Sequence, residues 1–220
     1  MLTFKKYFYL LLIIFFLFWC SWSNNLSLNN SMRIVALWDS LTIWYWLDID
    51  ESYPSQLEKK LNNNWFTYSI INWWISGNTS KQLLDRIENF DEYKNADIYL
   101  LNIWANDWLR KMDLDKMEIN IEKIINYLQN NNPEWKIILF WVKLPFLFWF
   151  SYSRDFNSRF EKIANKTGIF YYWDFLDWVN WNSKLNLNDW LHPNSEWYDI
   201  ISTNISNYLI KNNFIWKESL

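Results

Sequence analysis

The strict alternation of short apolar runs with segments of helical period most constrains what this chain can fold into. The runs cover 33–37, 66–71, 97–103, 136–142 and 168–172, and each is rich in Ile, Val, Leu or aromatic residues. Short, nearly continuous apolar runs of this kind read as buried strands. Between 113 and 130, Leu114, Met117, Ile121, Ile124, Ile125 and Leu128 recur at three- and four-residue spacing, which gathers them on one helical face. Segments 53–61, 79–87, 153–164 and 195–210 are further helix candidates. Strand and helix in regular succession predict an α/β domain with a parallel sheet. In such sheets the active site lies at the carboxyl ends of the strands.

Turns pose a problem for this reading. A domain with this many connections needs glycine, which alone takes positive φ without cost and lets backbones approach closely. The chain has 2 glycines and 19 tryptophans in 220 residues. Several tryptophans stand inside Asn/Asp/Pro clusters where turn residues belong: Trp65, Trp135, Trp181 and Trp190. Reading tryptophan as glycine raises glycine slightly above its usual share of about 7%. The pattern is that of a gene whose UGA codons stand for glycine and were read as tryptophan, and the Asn/Ile/Lys/Phe-rich composition suits an AT-rich genome. The other explanation is a real aromatic-rich surface that stacks on sugars or bases.

The N-terminus has its own chemistry. Lys5 and Lys6 precede an apolar run over 7–19, too short to span a bilayer comfortably and shaped like a secretory signal. With Trp19 read as glycine, 17–20 becomes L-F-G-C, which resembles the bacterial lipoprotein processing site whose cysteine is lipidated. A retained anchor and a plain secretory peptide are the alternatives. Cys20 is the only cysteine, so no internal disulfide can form. Residues 21–31 are polar and of low complexity, as a tether would be. The expected organisation is therefore a signal peptide over 1–20, a linker over 21–31 and one domain over 32–213. The protein is expected to be exported and membrane-anchored, or secreted if not lipidated. A formal net charge of -3 gives no reason to expect a nucleic-acid partner.

Four blocks carry chemistry. Asp39-Ser40-Leu41-Thr42, residues 72–79 and Trp104-Ala105-Asn106-Asp107 each follow a predicted strand, and 189–194 precedes the last helix. A serine hydroxyl needs a base to take its proton, and His192 is the only histidine in the chain. Asp189, three residues earlier, can accept from the other ring nitrogen, fixing its tautomer and stabilising the imidazolium.

With tryptophan as glycine the blocks read GDSLT, NGGISGNT, GAND and DGLHPN. Together they resemble the SGNH (GDSL) hydrolase family over 33–212. The resemblance implies a three-layer α/β/α sandwich on a five-stranded parallel sheet, flavodoxin-like in arrangement. It implies Ser40 as nucleophile, His192 as general base and Asp189 as its orienter. The oxyanion donors implied are the backbone N–H groups of Ser40 and Gly77 and the side-chain amide of Asn106, each worth roughly 3 kcal/mol of barrier. Gly77, one of the two written glycines, falls at the family's oxyanion position. Trp38, Trp74, Trp104 and Trp190 depart from the pattern. Asp107 reads as structural, and Asn72 as a support for the loop before Gly77.

Residues 144–160 are similar to the loop and following helix of the thioesterase/lysophospholipase/arylesterase branch, although Leu147-Phe148 replaces that branch's Asn-Tyr pair. Phe146, Leu147, Phe148 and Phe150 offer an apolar wall suited to an acyl chain. The expectation is a serine esterase acting on small acyl esters or thioesters through an acyl-enzyme, with no metal or organic cofactor implied. A polysaccharide or cell-wall deacetylase of the same family is the near alternative. A non-catalytic carbohydrate-binding lipoprotein is the alternative from another class.

Overall fold

Ile34, Val35, Ala36 and Leu37 have no exposed surface, which places the first apolar run inside the molecule with helices on both sides. The computed structural model describes residues 32–38, 48–62, 67–89, 93–131, 133–141, 150–173 and 194–215. All of them belong to one compact unit, Met32–Leu220. The apolar runs become β1 (Met32–Trp38), β2 (Tyr68–Asn72), β3 (Ile98–Asn102), β4 (Lys136–Phe140) and β5 (Phe170–Tyr172). They form one parallel sheet in the order β2-β1-β3-β4-β5.

The helices are α1 (Tyr53–Asn62), α2 (Ser80–Asn89), α3 (Ala105–Leu109), α4 (Leu114–Asn131), α5 (Phe150–Thr167) and α6 (Ser195–Lys211), with a 3-10 turn at Ile49–Glu51 before α1. The strand order reverses direction after β2, so right-handed crossovers put α1 on one face of the sheet and α2, α4 and α5 on the other. α1 packs against α6, while α2 packs on α4 and α4 on α5. The result is the α/β/α sandwich expected from the sequence. The six apolar residues that marked α4 are all buried, each worth about 1.5–3 kcal/mol relative to exposure.

Two short elements escaped the sequence reading. α3 has five residues and the 3-10 turn three, both too brief to show a period. α5 ends at Gly168, whose φ of 70° is the left-handed conformation that closes a helix. There the N–H groups of Gly168 and Ile169 both donate to the Ala164 carbonyl, at 2.9 and 3.2 Å.

Candidate active site

The site is built at the carboxyl ends of β1, β2 and β3. β1 stops at Trp38, and Ser40, two residues on, lies outside the described residues. So do Asp189, His192, Phe146, Leu147 and Phe148. What the structure does describe is the other half of the expected machinery: Gly77, Asn106 and the elements that hold them.

β2 continues its pairing for one residue, with the Trp73 N–H donating to the Ala36 carbonyl at 3.0 Å. The chain then turns over Ile75–Asn78, closed by the Asn78 N–H on the Ile75 carbonyl at 3.2 Å. Gly77 sits at the third position with φ of 77°. A type II turn requires positive φ there, which is why glycine occupies it. Immediately afterwards Thr79 starts α2 through a capping box. The Gln82 side-chain oxygen accepts from the Thr79 N–H at 3.0 Å, and Thr79 Oγ1 accepts from the Gln82 N–H at 3.4 Å.

From the other side, β3 runs through Trp104 into α3. Asn106 is buried, and its Nδ2 donates to the Asn78 carbonyl at 3.1 Å. A carbonyl partner accepts only from the NH₂ end of the amide, so this contact fixes which way Asn106 faces. Among the described residues, Asn78 takes one Nδ2–H and no other acceptor takes the second. Arg110, after α3, donates from Nη2 to the Gly77 carbonyl at 2.9 Å. Gly77 and Asn106, 29 positions apart in the chain by their residue numbers, are thus brought to one place.

Asp107 completes the grip. Only 2% exposed, it accepts from the Ser80 N–H and from Ser80 Oγ, both at 2.8 Å, so it caps α2 from a separate element. Asn120 on α4 adds a donor to Ser80 Oγ at 3.1 Å. Burial pushes the Asp107 carboxyl above its ordinary 3.8, against the hydrogen bonds from Ser80 and the charge of Arg110. The structural role read for Asp107 therefore has a definite form. Asn72 does not support the loop as expected: its buried amide atoms bond to nothing among the described residues. Asn102 is likewise fully buried without an amide partner there, opposite Trp38 in the sheet register.

Ser80, Arg110, Asn120 and Tyr152 are contributors that the sequence did not reveal. The Tyr152 hydroxyl donates to the Met112 carbonyl at 2.8 Å, tying α5 to the segment behind α3. Burial, then the nearby Asp107 charge, pushes that hydroxyl up to about 12. The Thr79–Gln82 spacing and the four-residue step from Asn106 to Arg110 were the available signals.

Comparison with known proteins agrees with this architecture. Residues 36–200 match the GDSL-like Lipase/Acylhydrolase family. The chain is 26% identical over 181 residues to an arylesterase of Vibrio mimicus, covering 82% of this chain and 90% of that protein. It is 24% identical over 163 residues to thioesterase 1/protease 1/lysophospholipase L1 of Escherichia coli, covering 74% of this chain and 76% of the other. The crystal structure of the psychrotrophic esterase EstA from Pseudoalteromonas sp. superposes with a TM-score of 0.76 at 27% identity, over 83% of this chain and 99% of that one. A family match over most of the domain, together with the α/β fold shared with a solved esterase, makes this chain a member of the GDSL-like Lipase/Acylhydrolase family and a serine ester hydrolase of the SGNH type.

Proposed function

We propose that the chain hydrolyses small acyl esters or thioesters through an acyl-enzyme on Ser40. Ser40 Oγ attacks the ester carbonyl carbon while His192 takes its proton, with Asp189 holding the imidazole in the correct tautomer. The oxyanion so formed accepts from the N–H groups of Ser40 and Gly77 and from Asn106 Nδ2. Its collapse breaks the bond to the leaving alcohol or thiol, which receives the proton from His192. Water, activated by the same base, then releases the acid and restores Ser40.

The observation that carries this reading is the seating of Asn106 Nδ2 on the Asn78 carbonyl at 3.1 Å, beside Gly77. It orients one donor and places it next to the turn that presents the other. An arylesterase and a thioesterase/lysophospholipase among the relatives support acyl esters and thioesters as substrates. Phe146, Leu147 and Phe148 are assigned to the acyl chain. The N-terminal segment is read as a lipoprotein signal with Cys20 lipidated, which would hold the domain on the extracytoplasmic face of a membrane. The family glycines at Trp38, Trp74, Trp104 and Trp190 belong to the same proposal.

Hydrolysis of p-nitrophenyl esters of graded chain length, by protein made with glycine at the UGA codons, tests it. Ser40→Ala should lower the rate by roughly 10⁴-fold or more. A strong preference for acetyl over longer chains would favour the deacetylase reading. Hydrolysis of none of them, with Ser40→Ala indistinguishable, would remove Ser40 from its role. For the anchor, Cys20→Ser should move the protein out of the membrane fraction; unchanged fractionation would refute lipidation there.

A further inference from the structure

Asn106 and Arg110 stand four positions apart, so their side chains leave the same face of α3 and the turn that ends it. They reach adjacent carbonyls of the glycine turn: Asn106 Nδ2 that of Asn78 at 3.1 Å, Arg110 Nη2 that of Gly77 at 2.9 Å. The guanidinium makes the stronger contact, since a charged donor binds a carbonyl roughly twice as strongly as a neutral one. Gly77 leaves it the room: a Cβ added there would lie 3.3 Å from Arg110 Nη2. Arg110 forms no ion pair among the described residues, its charge reaching Asp107 from beyond ion-pair distance.

We propose that Arg110 is a positioning residue for the oxyanion donors. The Asn78 N–H on the Ile75 carbonyl fixes the far side of the turn. Arg110 holds the Gly77 carbonyl, which shares a peptide plane with the Asn78 N–H, so that one plane is gripped at both ends. The place of Gly77, and with it the N–H on the preceding peptide, is thereby set relative to Asn106, which lies on α3 just before Arg110. Sub-ångström alignment of donors matters because a misplacement of about 1 Å can cost roughly 100-fold in rate.

The proposal rests on the reading of Gly77 and Asn106 as oxyanion donors, and the experiment separates the two. Steady-state hydrolysis of p-nitrophenyl acetate is measured for full-length wild type, Arg110→Ala, Arg110→Lys and Asn106→Ala, with thermal unfolding of each. Arg110→Ala should lower kcat about tenfold or more, at unchanged KM and unchanged unfolding midpoint. Arg110→Lys, which keeps a charged donor, should recover part of the loss. Wild-type kcat in Arg110→Ala beside a deficient Asn106→Ala would overturn the Arg110 role alone. Wild-type kcat in Asn106→Ala would overturn the oxyanion reading itself. A loss in Arg110→Ala that follows a lowered unfolding midpoint, or that falls on KM, would assign Arg110 to stability or binding instead.

Discussion

Gly77 meets two demands at once, positive φ in a tight turn and room for a guanidinium, and the proposed function adds a third, a backbone N–H for the oxyanion. Alanine satisfies none of the first two freely. Gly77→Ala should therefore lower kcat on p-nitrophenyl acetate by about 10²-fold, with a stability loss of roughly 1–2 kcal/mol for the left-handed conformation, both measurable on one purified variant. Asp107 offers a prediction in pH. Its folded pKa lies above the ordinary 3.8 because the carboxylate is desolvated. The folded state thus holds its proton more tightly than the unfolded state. Stability from this group is fully present below 3.8 and falls as pH rises to the raised folded value. The stability of wild type relative to Asp107→Asn should accordingly decrease across that window in urea titrations, and a difference independent of pH would refute the assignment. At this scale the sequence singled out Gly77 and Asn106 through their blocks and the family resemblance, and the structure brings the two to one place. It did not single out Arg110 or Ser80, whose partners are 33 and 27 residues away along the chain. No local period records a contact across that distance.

Among the elements, α3 carries most consequence for its size. Its five residues and the one that follows place Asn106, Asp107 and Arg110 on three anchor points of the 77–80 segment, Asn78, Ser80 and Gly77. The strands and long helices were legible because apolar spacing repeats over them; α3 is shorter than two turns and shows no such repeat. The strand beginning expected at 66 is described only from Tyr68, and α5 starts at Phe150 rather than 153. Behind the site, α4 and α5 are joined by Arg159, which donates to Asp115 at 2.7 Å, to Glu118 at 2.9 Å and to Asp155 at 3.0 Å. The Glu118 side chain is 9% exposed, and its other oxygen pairs with Lys162 at 2.7 Å. Arg159→Met would leave Glu118 half-compensated inside the protein. Its expected cost is about 1.5–3 kcal/mol in urea unfolding, with kcat of the folded enzyme unchanged, because the pair lies between helices and touches no residue assigned to catalysis.

Across the whole molecule, six of the 19 tryptophans gather at strand ends. Trp38 ends β1, Trp73 and Trp74 follow β2, Trp104 lies just past β3, Trp141 follows β4 and Trp173 follows β5. Every strand meets an indole at its carboxyl end, the edge where a parallel α/β sheet binds its substrate. None of the described tryptophans has positive φ, so glycine at these places would serve close backbone approach and open space. As written, Trp38 is fully buried with its ring 4.1 Å from Tyr53 and 5.5 Å from Phe140. Trp104 lies against Phe156 at 5.8 Å, its Nε1 donating to the Phe140 carbonyl at 3.2 Å. Removing one such indole from an otherwise unchanged core costs about 3–5 kcal/mol, so Trp38→Gly alone should lower stability. The chain with glycine at every UGA codon must instead close the aromatic neighbours over the vacated space. Two measurements decide between the molecules. Peptide masses from protein purified from its source should show glycine at 38, 104 and 190, and tryptophan there would end the glycine reading. In parallel, the glycine-decoded enzyme should hydrolyse p-nitrophenyl acetate at least about tenfold faster than the tryptophan form. Equal rates would mean that indoles at the strand ends leave the oxyanion site open, and that the glycines of this edge serve the fold without serving the reaction.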